Sequence, residues 1–278
     1  MLNRARKSAF PTHQAVVLGL LEGPTELLPV SSSAHSALLP WLAGWSYTEL
    51  DPQLRKSFEV ALHAGAGLAL AIDMRSELLQ EALAMDARRA ATIACSLAPA
   101  AVAGYALHGF IERRLGGPRS IAAGLIAGAV AMAFADAGGA RKDRARGDAV
   151  PRDGLALGLA QALALMPGVS RSGATVTAAR VRGFARADAQ ALSWHAALPV
   201  LLGASVLEGG RLARSGAPAG TRAALIAGAV SAFVSTLACA RVLRRSPAGR
   251  TLLPFSIYRG ALALVVIHRL RRAHNRGR

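Results

Sequence analysis

Two stretches of this chain gather ionisable and hydroxyl side chains around proline. The first reads EGPTELLPVSSSAH (22 to 35). If it is helical up to Pro29, Glu22 and Glu26 lie four residues apart on one face. Two carboxylates so placed raise each other's pKa in a low-dielectric site unless a cation neutralises them. A divalent metal or an Arg is implied, and hard oxygen ligands suit Mg²⁺ or Ca²⁺. Pro24, between the two, has no N–H to donate and is expected to bend or begin the helix. Beyond Pro29 the chain must restart, and Ser31, Ser32 and Ser33 suit a first helical turn, whose free backbone N–H groups form an anion site. His35 lies three residues beyond Ser32, within helical reach of its hydroxyl, a spacing that suits a Ser nucleophile with a His base.

The second stretch reads PGVSRSGAT (167 to 175). Gly173 permits close approach of an anion, Ser170, Ser172 and Thr175 add hydroxyl donors, and Arg171 offers a planar fork for phosphate oxygens. Together the two stretches read as the halves of a diphosphate clamp.

The elements that must position these residues follow from composition. Of 278 residues, 53% are hydrophobic and 18% charged, more apolar than an ordinary soluble domain. The net charge of +17 comes from Arg clusters between apolar stretches rather than along one basic face, which argues against nucleic acid. Six apolar stretches are predicted to span a membrane as helices: 58–72, 92–111, 121–134, 189–207, 223–240 and 252–267. No period of two suggests a barrel. Two more, 15–28 and 154–166, are too short to span and run into Pro29 and Pro167, as re-entrant helical hairpins do. Arg4, Arg6 and Lys7 ahead of the first apolar run resemble a signal peptide, but Glu22 and Glu26 interrupt that run and cleavage is not expected. Cys95 and Cys239 lack metal-ligand spacing and read as small buried hydrophobes.

The hairpins repeat one another. Leu18-Gly19-Leu20 matches Leu157-Gly158-Leu159, and Val30 to Ser33 matches Val169 to Ser172, at one offset (170 − 31 = 139). Residues 57–67 and 193–203 align at an offset of 136. Three spans in each half, an odd number, invert the second half relative to the first. The expected fold is therefore an all-α integral membrane protein: six transmembrane helices plus two re-entrant helix pairs in an inverted-topology repeat. It forms one polytopic domain over 1–278, with repeats near 10–137 and 150–270.

These residues resemble the undecaprenyl-diphosphate phosphatase family, also called bacitracin-resistance proteins. The resemblance rests on EGPTELLPVSSSAH (22 to 35), SFEVALHAG (57 to 65), QALALMPGVSRSGAT (161 to 175) and LPFSIYRG (253 to 260), spread in family order over essentially the whole chain. It implies hydrolysis of undecaprenyl diphosphate to undecaprenyl phosphate and inorganic phosphate, recycling the lipid carrier of peptidoglycan synthesis. It also implies residence in the bacterial cytoplasmic membrane with the site open to the outer side. By position, Glu22 and Glu26 match the family's acidic pair, Ser32 its proposed nucleophile, His35 its essential histidine and Arg171 its phosphate-binding arginine. Ser170, Ser172 and Thr175 match polar residues around that arginine. Either Ser32 attacks with His35 as base, or His35 orients the phosphate while water attacks. Leu27, Ser33 and Ala34 stand where the family has Phe, Thr and Gly; Ala34 matters if that turn needs positive φ.

Expected partners are the lipid substrate and membrane lipids, with a homodimer left open. Glu59 and His63, four residues apart, are candidates to support the acidic pair from behind. Tyr258 and Arg259 match the family's last block, although Arg259 also suits snorkelling to the interface. His13, His108, His195, His268 and His274 are expected at helix ends or packing contacts, and Asp136 and Glu208 solvated at span ends. The competing function is an undecaprenyl phosphate flippase that holds the headgroup without hydrolysis, since inverted repeats with broken helices are common in carriers. A phosphatidic acid phosphatase pattern is set aside because Thr177 stands where that pattern needs His.

Overall fold

The computed structural model describes residues 10–138, 142–215, 220–245 and 251–276. Among these the chain is helical, with one isolated backbone bridge between Arg144 and Phe184 and no strand. The helices are α1 (Thr12–Leu27), α2 (Ser32–Ala43), α3 (Pro52–Asp73), α4 (Arg75–Leu83), α5 (Ala87–Leu115), α6 (Pro118–Ala137), α7 (Pro151–Leu163), α8 (Arg171–Val181), α9 (Arg186–Ser215), α10 (Arg222–Arg245) and α11 (Leu253–Arg276). The basic residues Arg4, Arg6 and Lys7, and the side chains of His108 and Glu208, lie outside what is described.

Among the described residues, five helices are long and apolar enough to cross a bilayer: Ala87–Leu107, Pro118–Ala137, Arg186–Leu207, Arg222–Arg245 and Leu253–Asn275. A sixth crossing is available if α3 and α4, bent by 68° where they join, count as one broken span. Each overlaps one of the six apolar stretches. By contrast α1, α2, α7 and α8 run 16, 12, 13 and 11 residues, short of the ~20 that a spanning helix needs. The spanning helices turn large apolar side chains outward: Val102, Phe134, Val206 and Ile226 are well exposed, as a lipid-facing surface requires. This is an all-α integral membrane protein that crosses the membrane several times.

The chain forms two compact units, each drawing on both halves of the sequence. The first comprises 1–27, 35–82 and 198–246; the second comprises 28–34, 83–197 and 247–278. In the first, α1 packs along α10 and α10 along α3. Glycine permits the closeness, because a Cβ at Gly19 or Gly23 would collide with Ser231 or with the backbone of Ser235 on α10. Phe10, Tyr47 and Phe58 form an aromatic core at one end of this unit, with ring centroids 4.6 to 5.7 Å apart.

In the second unit α7 packs along α5, and a Cβ at Gly158 would collide with the Cys95 carbonyl and Pro99. Gly19 and Gly158, matched at the offset of 139, thus do the same work in separate units. Two buried carboxylates tie the second unit together. Asp153 accepts from Arg144 at 2.8 and 3.2 Å, from Arg182 at 2.6 Å and from the Val150 N–H at 3.0 Å. Asp136 was expected to be solvated; it is instead buried, accepting from Arg186, Thr251 and the Leu252 N–H and lying 3.4 Å from Arg180. The α6 end therefore fastens α8, α9 and α11, a role invisible in sequence because its partners lie 44 to 116 residues away (180 − 136 and 252 − 136). Cys95 and Cys239 are unpaired and partly buried.

Removing the Asp153 carboxylate takes the charged partner from two guanidinium groups, although Arg144 keeps the carbonyls of Arg182 and Asp148. Both are about a third exposed (31% and 40%), so Asp153→Ala is expected to cost about 2 to 3 kcal/mol, less than the ~3–5 kcal/mol of a fully buried pair. Thermal unfolding in detergent reads this; an unchanged Tm means that the three side chains do not act as one structural tie.

Candidate active site

Glu22 and Glu26 lie on α1, which continues through Pro24 to Leu27. Pro24 cannot donate the bond that would fall on the Leu20 carbonyl, and that carbonyl instead accepts from the Ser235 hydroxyl on α10. The compensation keeps the helix intact, so the expected bend does not separate the pair and both carboxylates are buried, at 3% and 6% exposure. His63 on α3 places Nε2 3.4 Å from Glu22 Oε1. Glu22, Glu26 and His63 each offer one ligand atom, and these atoms lie within 4.8 Å of one another. Two buried carboxylates and an imidazole nitrogen are a donor set that could hold a hard divalent cation. Glu59, one helical turn before His63, is half-buried and is not part of this group.

The serine stretches build two matching turns in the second unit. Ser31 and Ser170 are the described non-glycine residues with positive φ, at 79° and 72°. Each hydroxyl caps the helix that follows: Ser31 Oγ accepts from the Ala34 N–H at 3.3 Å, and Ser170 Oγ from the Gly173 N–H at 3.1 Å. Ser31 and Ser33 share a hydrogen bond of 3.3 Å, and so do Ser170 and Ser172. Every partner in one turn is 139 residues from its counterpart in the other. The left-handed conformation falls on the capping serine and not on Ala34, which sits inside α2, so the Cβ there carries no backbone strain. A serine held at positive φ costs about 1–3 kcal/mol, and such strain concentrates at functional sites.

The two turns touch. Ser172 Oγ donates to the Leu28 carbonyl at 3.0 Å, across 144 residues of sequence. Ser32 is the first residue of α2 and Arg171 the first of α8, so a hydroxyl and a guanidinium occupy equivalent places beside two helix N-termini, where unpaired N–H groups favour anions. Ser32, His35 and Arg171 are half-buried, and Ser33 is exposed. His35 follows Ser32 by three residues on α2. Thr175 is fully buried, and its hydroxyl bonds the Arg171 carbonyl at 2.8 Å and Ser193 Oγ at 2.7 Å. Its hydroxyl is thus spent on holding the first turn of α8.

Two residues gain importance that sequence did not grant them. Ser193, fully buried on α9, holds Thr175; the only signal was its place in the 136-residue alignment. Arg259, on α11, does not snorkel. It is fully buried, and Nη2 donates to the Val169 carbonyl at 2.7 Å and the Gly168 carbonyl at 3.1 Å. An Arg six residues into an apolar span reads equally as an interface anchor, and only packing separates the two. Tyr258, its neighbour, is 46% exposed.

The chain is similar to known proteins over most of its length. A family model described as bacitracin resistance protein BacA matches residues 15–265. A Geobacter sulfurreducens protein named undecaprenyl-diphosphatase is 42% identical over 88% of this chain and 93% of its own. Proteins of the same name from Geobacter metallireducens and Thermomicrobium roseum are 40% and 38% identical, covering 90% and 91% of this chain and 94% and 96% of theirs. With its capped serine turns and acidic pair inside the matched region, the chain belongs to the BacA family of bacitracin resistance proteins.

Proposed function

We propose that this membrane phosphatase hydrolyses undecaprenyl diphosphate to undecaprenyl phosphate and inorganic phosphate. The observation that carries the reading is the pair of serine-capped turns joined through Ser172 and the Leu28 carbonyl: two helix N-termini, one led by Ser32 and one by Arg171, suit a ligand with two phosphate groups. The relatives' shared name supplies the substrate. In the reaction the bridging oxygen leaves with the lipid-bound phosphate, and water supplies the oxygen and the proton that complete the products.

Either Ser32 attacks with His35 as its base, giving a phosphoserine that water then hydrolyses to free Ser32 and phosphate, or His35 orients the terminal phosphate for direct attack by water. Arg171 and the hydroxyls of Ser31 and Ser33 take the phosphate oxygens, while Ser170, Ser172 and Gly173, whose donors are engaged in the cap and on the Leu28 carbonyl, shape the turn. Thr175 supports the turn. Glu22 and Glu26 would hold a divalent cation, Mg²⁺ or Ca²⁺, with His63 as a third ligand or as the proton-bearing partner of Glu22. Such a cation would supply Lewis-acid chemistry when bound. The matched turns, caps and glycine contacts support one polytopic domain of two inverted repeats, near 10–137 and 150–270. Recycling of the lipid carrier, bacitracin resistance, and a place in the cytoplasmic membrane with the site open outward follow from the same reading.

Purified protein in detergent is expected to release inorganic phosphate from undecaprenyl diphosphate. Binding without release would instead mean a flippase, because transport liberates none. Excess chelator is expected to abolish release and added Mg²⁺ or Ca²⁺ to restore it. Full activity in strong chelator would remove the metal and leave His63 as the counter-charge of the acidic pair.

A further inference from the structure

The guanidinium of Arg259 is wholly buried on α11, yet only one of its three nitrogens is used. Nη2 donates to the carbonyls of Val169 and Gly168 and lies 3.5 Å from that of Gly124, while Nε and Nη1 have no hydrogen-bond partner among the described residues. Burying a cation with two idle donors is costly, and the surrounding helices have been cut to admit it. A Cβ at Gly128 on α6 would collide with Nη2 and the Val169 carbonyl, and a Cβ at Gly173 on α8 would lie 2.6 Å from Nη1. Gly124 likewise leaves room for the Pro167 carbonyl and the Val169 N–H. Hence α6 and α11 together hold the turn that delivers Ser170 and Arg171.

We infer that Arg259 is a positioning residue for the phosphate-binding turn of α8, orienting its peptide groups and placing a fixed positive charge behind its first turn. In a planar trans peptide the C=O and N–H point in opposite directions. Drawing the Val169 carbonyl toward Arg259 therefore turns the Ser170 N–H the other way and removes from the anion's side a carbonyl that would repel it. The same pull holds Ser170 in its left-handed conformation, from which its hydroxyl caps α8. Nη1, beside Gly173, adds charge close to the helix N-terminus, where the electrostatic advantage for a phosphate is greatest. The first hairpin's turn has a different restraint, the Ser172 hydroxyl on the Leu28 carbonyl.

This inference rests on the phosphatase reading, and the experiment separates the two. Phosphate release, with KM, kcat and inhibition by inorganic phosphate, is measured on the parent protein and on Arg259→Met, Arg259→Lys and Gly128→Ala, each beside its thermal unfolding. Arg259→Met is expected to lose roughly 10- to 10²-fold in kcat/KM, in the range for charged donors, and to bind phosphate more weakly well below its Tm. Arg259→Lys, which keeps the charge and can reach one carbonyl, is expected to recover most of the phosphate affinity but less of kcat. Gly128→Ala, which displaces the group without altering its charge, is expected to lower kcat while remaining folded. Should Arg259→Met fail to insert, the other two variants carry the test. Parental kinetics in Arg259→Lys and Gly128→Ala, or a fall in Tm alone, would overturn the positioning role. An inactive parent would instead sink the phosphatase reading itself.

Discussion

Ser32→Ala and His35→Ala are each expected to lower kcat by about 10⁴-fold or more, and the double substitution by little more than either, as happens when a nucleophile and its base act as a unit. The two residues share α2, three positions apart, and both are half-buried. Neither caps the helix, since the cap is Ser31 through the Ala34 N–H. Thermal unfolding beside activity separates lost chemistry from lost stability. Strictly additive losses would rule out the paired mechanism. A fully active Ser32→Ala with an inactive His35→Ala would leave water as the attacking group and His35 as the residue that orients the phosphate. The measurement is single-turnover phosphate release, which keeps slow product departure from masking the chemical step.

How much of this was legible in the sequence depends on the range of the interaction. The hairpins were readable because their signals are local: an apolar run too short to span, a proline, a cluster of serines, a restart. The offset of 139 that matches residues in the sequence also relates the caps of Ser31 and Ser170. The span limits were short because α5, α9 and α11 extend past the apolar stretch into Arg-bearing turns. What failed to show was long-range. Nothing near Asp136 announces Arg186, Thr251 and Leu252, and nothing near Pro24 announces that Ser235 satisfies the Leu20 carbonyl. His63 was ranked below the acidic pair because its spacing to Glu59 was the only cue; its partner proved to be Glu22, 41 residues back (63 − 22). The two readings that the sequence leaves open for Arg259 are separated only by packing, because whether an arginine in a span reaches the interface or turns inward is decided by Gly128 and Gly173, on other helices.

Arg171 is the clearest difference between the two turns, since Ser32 occupies its place in the other. Arg171→Lys is expected to lose about 10²-fold or more in kcat, and Arg171→Ala still more, the range seen when one pre-organised transition-state donor is removed. The lysine keeps the charge but not the planar fork, so the size of its loss measures how far two-point recognition of phosphate oxygens matters beyond charge. As first residue of α8, Arg171 is not its cap, a role that Ser170 fills with the Gly173 N–H. The helix is therefore expected to survive both substitutions, and thermal unfolding beside phosphate release checks that it does. A Lys variant equal to the parent would make Arg171 a simple counter-charge. Loss of folding in both variants would make it a structural partner of the turn, and the assignment of phosphate binding to α8 would then rest on its backbone alone.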